Sequence, residues 1–264
     1  MFEEYLTFWN LTPDGEPIAT HSSDLLPVRR DDQPAMLKLA RADEERRGAE
    51  LMTWWNGGGA ARVLAHDKNG LLMERATGTR SLAAMANNGR DDEASRILCD
   101  VAGRLHAPRN PPVPSLIPLS IWFAELWPAA ARHGAILTQA AAAAHAVLAE
   151  PQEVCVLHGD LHHGNVLDFS ERGWLAIDPK GLIGERGFDF AKIFCNPDFE
   201  IATRPRRLAD QAGVVAEAAR LDRSHLLRWI LAYAGLSAAW HIGEGGDPAL
   251  ALAVAELAAA EIAR

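Results

Sequence analysis

One stretch of the chain decides its fold, and it reads Leu157-His158-Gly159-Asp160-Leu161-His162-His163-Gly164-Asn165-Val166-Leu167. Short apolar runs lie on both sides of the stretch, at Val154 to Leu157 and at Val166-Leu167, and a third follows at Trp174 to Ile177. Ser170-Glu171-Arg172-Gly173 has the residue types of a turn, so the last two runs are predicted to form a hairpin. The polar residues therefore lie where strands end.

Three of these polar side chains have the spacing of a phosphoryl-transfer site. Such a reaction needs a carboxylate to accept the proton of the acceptor hydroxyl, and oxygen ligands to hold Mg²⁺ on the phosphates of ATP. We predict that Asp160 is this base and that Asn165 and Asp178 are the metal ligands. In protein kinases the loop reads H-R-D-x-x-x-x-N, and His158-Gly159-Asp160 with Asn165 keeps that spacing. Each residue alone would fit an ordinary turn or cap, but together they favour a kinase.

The histidines of the stretch leave a second interpretation open. His158, Asp160, His162 and His163 are side chains of the types that bind zinc or a di-metal centre. A metal hydrolase would need further ligands with supporting partners, yet the remaining histidines are scattered singly along the chain. We expect His158 to pack beneath the loop and to hydrogen-bond its backbone.

The loop form His-Gly-Asp-Leu-His-x-x-Asn resembles the aminoglycoside phosphotransferases, antibiotic kinases that share the protein kinase fold. Segments elsewhere narrow the resemblance to the streptomycin 6-phosphotransferases, with which hydroxyurea phosphotransferases are grouped. These segments sample almost the whole chain, and they are Thr53-Trp54-Trp55-Asn56-Gly57, Gly59-Ala60-Ala61-Arg62-Val63, Gly173 to Pro179, and Leu236-Ser237-Ala238-Ala239-Trp240. The resemblance implies transfer of the γ-phosphoryl group of ATP to an aminoglycoside hydroxyl, most directly the 6-hydroxyl of streptomycin.

The resemblance also implies a bilobal α+β fold of the protein kinase type. Residues 1–75 would form a small N-terminal lobe with an antiparallel β-sheet and one helix, which binds the nucleotide. Residues 76–264 would form a larger, mainly helical lobe for catalysis and the acceptor. Amphipathic spacing predicts a helix over Asp91 to His106. Ile121 to Leu148 is predicted to be mostly helical, and His225 to Ala263 to form two helices.

A kinase fold requires a lysine on a strand upstream of the loop and a glutamate on the following helix. Pro34 to Ala40 fits the strand, and Lys38 lies inside its apolar run, where an unpaired charge would be costly. Asp43 to Leu51 fits a helix with carboxylates in its first turn. We expect Glu45 to pair with Lys38, with Glu44 as the second choice. A solvated helix end would account for both acids equally well.

The rest of the nucleotide site carries weaker signals. No G-x-G-x-x-G loop precedes Lys38. The family often uses a serine-bearing loop there, so Ser22 and Ser23 are predicted phosphate contacts, with an ordinary turn as the alternative. The strand after Gly70 would lead out of the small lobe, and the backbone at Glu74 and Ala76 would contact adenine. ATP and Mg²⁺ are the expected cofactors.

Further candidates lie downstream of the loop. The family has a segment there in which an Asp opens a helix and braces the catalytic loop, and Asp189 fits it, although an ordinary N-cap would look the same. Carboxylates would meet the two guanidinium groups of streptomycin, and Trp240 would cover a sugar or guanidinium face. Solvated loop charge and core packing are the alternative readings of these residues. The carboxylate candidates are Glu185, Asp198, Glu200, Glu244 and Asp247. The role of Lys180 is left open.

Composition excludes other classes of protein. The formal charge of −9 argues against a nucleic-acid partner and agrees with a cationic small-molecule substrate. The acidic start lacks a secretory signal and no apolar run reaches the length of a membrane span, so we expect a cytoplasmic monomer without a membrane partner. The alternatives are a kinase of hydroxyurea, choline or homoserine and a non-catalytic nucleotide-binding module.

Overall fold

The computed structural model describes residues 2–109 and 112–264, which form a small lobe and a large lobe. The elements of the small lobe, in chain order, are α1 (Phe2–Phe8), β1 (Thr12–Pro13), β2 (Ile18–Ala19), β3 (Ser23–Arg30), β4 (Gln33–Ala40), α2 (Asp43–Trp55), β5 (Val63–His66) and β6 (Gly70–Glu74). The strands form one antiparallel sheet in the order β1-β3-β4-β6-β5, with β2 paired to β3. The predicted strand through Lys38 and the helix after it are both confirmed, as β4 and α2.

The small lobe has two helices rather than the single one that was predicted. Helix α1 has no fully buried residue, although Phe2, Tyr5 and Leu6 lie at helical spacing in its sequence. Tyr5 and Trp9 nevertheless pack on the sheet, where a Cβ atom at Gly70 would lie 2.4 Å from the Tyr5 ring. The hydroxyl group of Tyr5 also donates a hydrogen bond to Asp67 at 3.0 Å. The correction concerns the helix count alone.

The large lobe follows after β6. Its elements are α3 (Leu82–Asn87), α4 (Asp91–His106), β7 (Ile117–Pro118), α5 (Leu119–Trp122), α6 (Leu126–His133), α7 (Ala135–Ala149), β8 (Val154–Leu157), β9 (Val166–Asp168), β10 (Trp174–Ala176), β11 (Leu182–Glu185), α8 (Gly187–Ala191), α9 (Phe199–Ala202), α10 (Arg207–Ala219), α11 (Arg223–Gly243) and α12 (Ala249–Ile262). The predicted helix over Asp91 to His106 is confirmed as α4, and the predicted hairpin as β9 and β10. The segment from Ile121 to Leu148 is divided among three helices.

Helix α11 forms the centre of the large lobe. It is apolar on all sides, as expected of a helix enclosed by others, and its buried residues include Trp229, Ile230 and Leu236. It packs against α7, α8 and α12. The helix therefore supports α8, which carries Asp189. Within the described residues, no helix is both long and apolar enough to span a membrane.

The two lobes are joined by backbone pairing as well as by the connecting chain. The N–H group of Ala61 donates to the carbonyl oxygen of Ala176, and the N–H group of Ala176 donates to that of Gly59, both at 2.9 Å. The segment before β5 is thereby paired with β10. The predicted lobe boundary between residues 75 and 76 follows the end of β6 at Glu74. It stays a prediction, because the pairing of Ala61 with Ala176 crosses it.

A buried ion pair ties the start of α4 to the start of α10. The guanidinium group of Arg207 donates to both carboxylate oxygens of Asp91, at 2.6 and 3.1 Å. Arg207 is only 6% exposed. Removing one partner of such a pair leaves the other charge buried without compensation, which is strongly destabilising.

We expect Asp91→Ala to lower the free energy of unfolding by about 3–5 kcal/mol, because it leaves the Arg207 guanidinium unpaired. Urea unfolding followed by circular dichroism measures this change. Asp100→Ala is the matched control on the same helix, since the Asp100 side chain is 72% exposed. We expect a change of about 0.5 kcal/mol or less for the control. Equal losses in the two variants would contradict the prediction.

Candidate active site

Asp160 lies in the loop between β8 and β9, and its two carboxylate oxygens have different partners. The side-chain amide of Asn165 donates to Oδ2 at 2.9 Å and to the backbone oxygen of Asp160 at 2.9 Å. The ammonium group of Lys192 contacts Oδ1 in an ion pair. His162 Nε2 is 3.8 Å from Oδ2. The carboxylate predicted to be the base is therefore held in one orientation by contacts at both oxygens.

The backbone of the loop is held from below by Asp189. The N–H groups of His158 and Gly159 donate to its two carboxylate oxygens at 2.8 and 2.7 Å, and His106 Nε2 lies 2.8 Å from Oδ2. Asp189 is 1% exposed. Burial alone would raise the pKa of Asp189, but the hydrogen bonds from His106 and from the N–H group of Gly159 hold it below its usual range. Asp189 thus has the bracing position that was predicted, and it lies inside α8 rather than at its N-cap, which is Arg186.

His158 is a fully buried side chain beneath the loop. Burial lowers the pKa of His158 to about 4, so the ring is neutral at physiological pH. Its Nδ1 atom accepts from the N–H group of Asp160 at 3.2 Å, and its Nε2 atom therefore donates to the carbonyl oxygen of Ile177 at 2.8 Å. The ring stacks on Trp55 with the centroids 6.1 Å apart. This geometry agrees with the expected supporting role and links the loop to the strand that precedes Asp178.

Asn165 and Asp178 are brought together by the hairpin. Strands β9 and β10 pair through Val166 and Ala176, and the N–H group of Ile177 continues the pairing to the carbonyl oxygen of Asn165 at 2.9 Å. Asp178 follows with φ 63°, a left-handed conformation that Asp tolerates, which turns the chain out of the strand. An amide oxygen and a carboxylate are suitable ligands for Mg²⁺. Their role as metal ligands stays a prediction.

Lys38 projects from β4 between two carboxylates. Its ammonium group forms ion pairs with Glu45 on α2 and with Asp178, and it is 8% exposed. Glu44, the second candidate, pairs instead with Lys180 at 2.6 Å. Burial alone would raise the pKa of Asp178, but Lys38 and then Lys180 hold it below its usual range. The three segments therefore meet at one charged cluster.

A glycine permits α2 to approach the end of the hairpin. Gly48 lies one turn after Glu45, and a Cβ atom at this position would be 2.5 Å from the carbonyl oxygen of Pro179. No side chain fits in that space unless the backbone moves. The distance between the glutamate-bearing helix and Asp178 thus depends on Gly48.

Ser22 and Ser23 have different environments. Ser22 Oγ donates to Glu45 Oε1 at 2.5 Å, next to the charged cluster. Ser23 is 2% exposed, and its hydroxyl group hydrogen-bonds that of Thr20 at 2.9 Å within the turn. The structure thus places Ser22 at the cleft and turns Ser23 into the sheet. A phosphate contact by Ser22 stays a prediction, and the ordinary turn accounts for the side chain of Ser23.

The predicted adenine contacts lie where the chain leaves the small lobe. The carboxylate of Glu74 accepts from the N–H group of Arg62 at 2.5 Å and pairs with Arg172 of the β9–β10 hairpin. Ala76 is partly buried against the core of the large lobe. The side chain of Glu74 is therefore engaged in joining the lobes. The backbone contact to adenine stays a prediction.

A cavity of about 710 Å³ opens beside Asp160. Trp122 and Trp240 form one wall, with their rings edge to face at 5.4 Å between centroids. Glu244, Lys180, Lys192 and Glu125 also line it. Burial lowers the pKa of Lys192 to about 8. Of the predicted substrate contacts, Trp240 and Glu244 thus share one cavity with Asp160.

The other predicted substrate carboxylates do not line this cavity. Glu185 is 2% exposed and accepts hydrogen bonds from Trp229 Nε1 and His225 Nε2, both at 2.6 Å. Its carboxylate is therefore bound to side chains inside the fold and does not face the cavity. Asp198 caps α9 by accepting from the N–H group of Ile201 at 2.9 Å. Glu200 is exposed on the same short helix, and Asp247 accepts from the N–H group of Ala249 at 2.9 Å. The expectation that Glu185 faces the acceptor is therefore corrected, while acceptor contacts of Asp198, Glu200 and Asp247 stay predictions without support from this cavity.

The histidines of the loop do not converge on one point. His158 and His162 bond backbone groups of the loop, and both ring nitrogens of His163 are buried without a hydrogen-bond partner in the structure. Over residues 2–109 and 112–264, no group of three or more His, Cys, Asp or Glu side chains has a geometry that would hold a metal ion. The ligand set that a metal hydrolase requires is not assembled there.

Sequence reasoning missed Lys192 and Glu125. Neither lies at a recognisable spacing from the loop, because both reach the cavity through the packing of distant segments. The one available signal for Lys192 is that lysine is rare in this chain, which has far more arginine. Glu125 lies three residues after Trp122, but nothing in the sequence places that tryptophan at a cavity.

The chain is similar in sequence to several known proteins. The family described as aminoglycoside/hydroxyurea antibiotic resistance kinase matches residues 8–245. A streptomycin 3″-kinase of Klebsiella pneumoniae is 56% identical over 242 residues, which cover 90% of this chain and 91% of the relative. A streptomycin 6-kinase of Streptomyces griseus is 32% identical over 272 residues, covering 96% and 85% of the two chains.

Solved structures of similar fold are more distant in sequence. A thermostable mutant of aminoglycoside phosphotransferase APH(4)-Ia, in a ternary complex with ADP and hygromycin B, superposes with a TM-score of 0.69 at 12% identity. The match covers 98% of this chain and 97% of that chain. The bilobal α+β fold of the protein kinase type, which the resemblance implied, is confirmed.

We expect Gly48→Ala to reduce turnover roughly tenfold or more, because α2 must move away from Pro179 and carries Glu45 with it. Gly213→Ala on α10 is the matched control, since a Cβ atom there has no neighbour within 4 Å. The control should leave turnover unchanged and stabilise its helix by up to about 1 kcal/mol. Steady-state ADP release and urea unfolding measure the two effects. Wild-type turnover in Gly48→Ala would show that the close approach does not position the ion pair.

Proposed function

The chain belongs to the aminoglycoside/hydroxyurea antibiotic resistance kinases, and from this premise we propose that it transfers the γ-phosphoryl group of ATP to a hydroxyl group of streptomycin. One observation carries the choice of acceptor. Asp160 lies in a cavity whose lining also holds Glu125 and Glu244, and neither carboxylate has an ion-pair partner among the described residues. The cavity therefore has negative charge to offer a cationic acceptor.

The charges of the lining match a dication. Lys180 is neutralised by Glu44 and Lys192 by Asp160. Glu125 and Glu244 remain without a basic partner among the described residues, and streptomycin carries two guanidinium groups, each of which can form bidentate hydrogen bonds with a carboxylate. An acidic cavity also concentrates cationic ligands at its mouth.

The size and shape of the cavity support the same acceptor. Sites for drug-sized ligands usually have volumes of about 300–1,000 Å³, and the cavity of about 710 Å³ lies well inside this range. Hydroxyurea is a few-atom molecule that would fill only a small part of it. Trp122 and Trp240 supply aromatic surface against which a sugar or guanidinium face can pack.

The nucleotide is held by residues of both lobes in this proposal. Lys38, oriented by Glu45, binds the α- and β-phosphates, as an ammonium group with several N–H donors suits phosphate oxygens. Asn165 and Asp178 would hold Mg²⁺, which neutralises charge on the phosphates when bound. Their amide and carboxylate oxygens fit that ion.

Asp160 performs the proton step. Its carboxylate accepts the proton of the streptomycin hydroxyl while that oxygen forms a bond to the γ-phosphorus atom, and ADP leaves with the electrons of the broken P–O bond. Asn165 and Lys192 hold the carboxylate for this contact. Most of the acceleration comes from this positioning and from the cations around the phosphates, rather than from the strength of the base.

The position of the phosphorylated hydroxyl is a separate question. The resemblance predicted the 6-hydroxyl, and the relative at 32% identity is named a 6-kinase. The relative at 56% identity is named a 3″-kinase. The two names point to different rings of streptomycin, so the product itself must be identified. One-dimensional and correlated ³¹P–¹H spectra of purified product distinguish the two positions directly.

We expect streptomycin to stimulate ADP release from Mg-ATP well above other aminoglycosides, hydroxyurea, choline and homoserine. Asp160→Ala should reduce kcat about 10²–10⁴-fold, the usual contribution of a general base, with ATP affinity retained. Asp100→Ala, an exposed acid on α4, is the control and should keep full activity.

Three outcomes would contradict parts of this proposal. A rate with streptomycin no higher than in buffer rejects the acceptor, and full activity of Asp160→Ala rejects the base. Nucleotide binding without phosphoryl transfer to any acceptor of the panel would favour the non-catalytic binding module.

We expect Glu244→Gln to raise the KM for streptomycin about tenfold or more, because one hydrogen bond between charged groups is lost. The KM for ATP should not change, since Glu244 directly follows α11 and does not lie in the small lobe. Glu256→Gln, an exposed acid on α12, is the matched control and should leave both values unchanged. An unchanged KM for streptomycin in Glu244→Gln would show that this carboxylate does not bind the acceptor.

A further inference from the structure

Lysine is rare in this chain and is concentrated at one place. The sequence has four lysines, Lys38, Lys68, Lys180 and Lys192, among 26 basic residues that are otherwise arginine. All but Lys68 lie at the predicted catalytic centre, where each forms an ion pair with a carboxylate. An ammonium group is a compact charge with three freely directed donors, whereas the guanidinium group is a broad planar fork. The distribution places three of the four lysines at the predicted centre.

Lys192 has no role in the family pattern from which the other residues were predicted. It begins a 3-10 turn, Lys192–Cys195, directly after α8. Its side chain is 25% exposed and lines the acceptor cavity, and its ammonium group contacts Oδ1 of Asp160. The next two residues, Ile193 and Phe194, are buried in the core and fix the turn.

We propose that Lys192 is a positioning residue for phosphoryl transfer, which holds Oδ1 of Asp160 so that the carboxylate keeps a single orientation toward the acceptor hydroxyl. Asn165 fixes Oδ2 from the other side. A carboxylate held at one oxygen still rotates about that contact, whereas contacts at both oxygens fix its plane. The inference rests on the proposed function, because it assigns Asp160 the role of base.

The segment that carries Lys192 also holds the backbone of the same loop. The carboxylate of Asp189 accepts hydrogen bonds from the N–H groups of His158 and Gly159. Lys192 follows Asp189 by three residues and lies close to the same face of the chain. One short segment thus fixes both the backbone before Asp160 and the side chain of Asp160. This arrangement gives a role to a charged residue that lies next to the buried Ile193 and Phe194.

A purely structural role for Lys192 would have a different signature. The ion pair is partly exposed at the cavity, and such pairs contribute little to the stability of a fold. A misplaced catalytic group, in contrast, lowers the rate by as much as roughly a hundredfold. Positioning and stability are therefore separable by measuring turnover and thermal unfolding on the same variants.

The first experiment compares Lys192→Met and Lys192→Arg with the wild-type enzyme. We expect Lys192→Met to lower kcat roughly a hundredfold while the KM values for Mg-ATP and streptomycin stay within about threefold. Lys192→Arg keeps the cation and should recover a large part of kcat. Lys68→Met, the same chemical change at an exposed turn of the small lobe, is the matched control. A kcat for Lys192→Met within about twofold of wild type overturns the proposal. The proposal is also overturned if the whole loss of kcat is explained by a lower Tm of the variant.

The second experiment tests whether Lys192 acts through Asp160. In the Asp160→Ala background, Lys192→Met should cause no further loss of the residual rate, because the group that it positions is gone. A further loss as large as that in the wild-type background overturns the proposal and indicates a direct contact with the transferred phosphoryl group.

If streptomycin is not an acceptor, the proposed function fails while the inference remains testable. The same variants are then compared in the slow hydrolysis of Mg-ATP, with water in place of the acceptor. A slower rate for Lys192→Met than for wild type supports the inference, and equal rates overturn it.

Discussion

The buried carboxylate of Asp189 is the interaction on which the rest of the site depends. A carboxylate removed from water is stable only when its oxygens are fully used, and here the N–H groups of His158 and Gly159 and the ring of His106 use them. Three separate parts of the large lobe must therefore assemble together. Once they do, the loop backbone at His158 and Gly159, directly before the predicted base, is fixed in place.

Much of the fold could be predicted because a helix or strand that is buried on one face has apolar residues at regular spacing in its sequence. Helix α4 and the β9–β10 hairpin follow apolar patterns that the sequence displays directly, and their bounds agree closely with those patterns. Helix α1 was missed although Phe2, Tyr5 and Leu6 have helical spacing, because a helix of seven residues shows less than two turns of the pattern. The pairing of Lys38 with a glutamate of the next helix was also foreseeable, since a lysine in an apolar strand needs a partner.

The acceptor side of the site could not be predicted as well. Glu185 and Glu244 look alike in sequence, as each is a carboxylate next to a glycine in the large lobe. Glu185 is enclosed by Trp229 and His225, whereas Glu244 lies at the open end of α11 beside the cavity. The difference arises from contacts between segments far apart in the chain. Spacing along the sequence holds no information about such contacts, and the same limit hid Lys192.

The predicted phosphoryl-transfer residues and the cavity walls lie on different elements, and this separation has an evolutionary consequence. The predicted phosphoryl-transfer residues lie on β4, α2 and the β8–β10 region, whereas α11 and the segment from α5 to α6 supply the aromatic and acidic walls of the cavity. If the proposed function holds, mutations in those helices would alter which molecule is accepted without touching the residues predicted to handle the nucleotide. Selection by a new antibiotic thus acts on one set of positions while the inherited chemistry is preserved. The scaffold can diversify its substrates by small steps, each of which passes through an active enzyme.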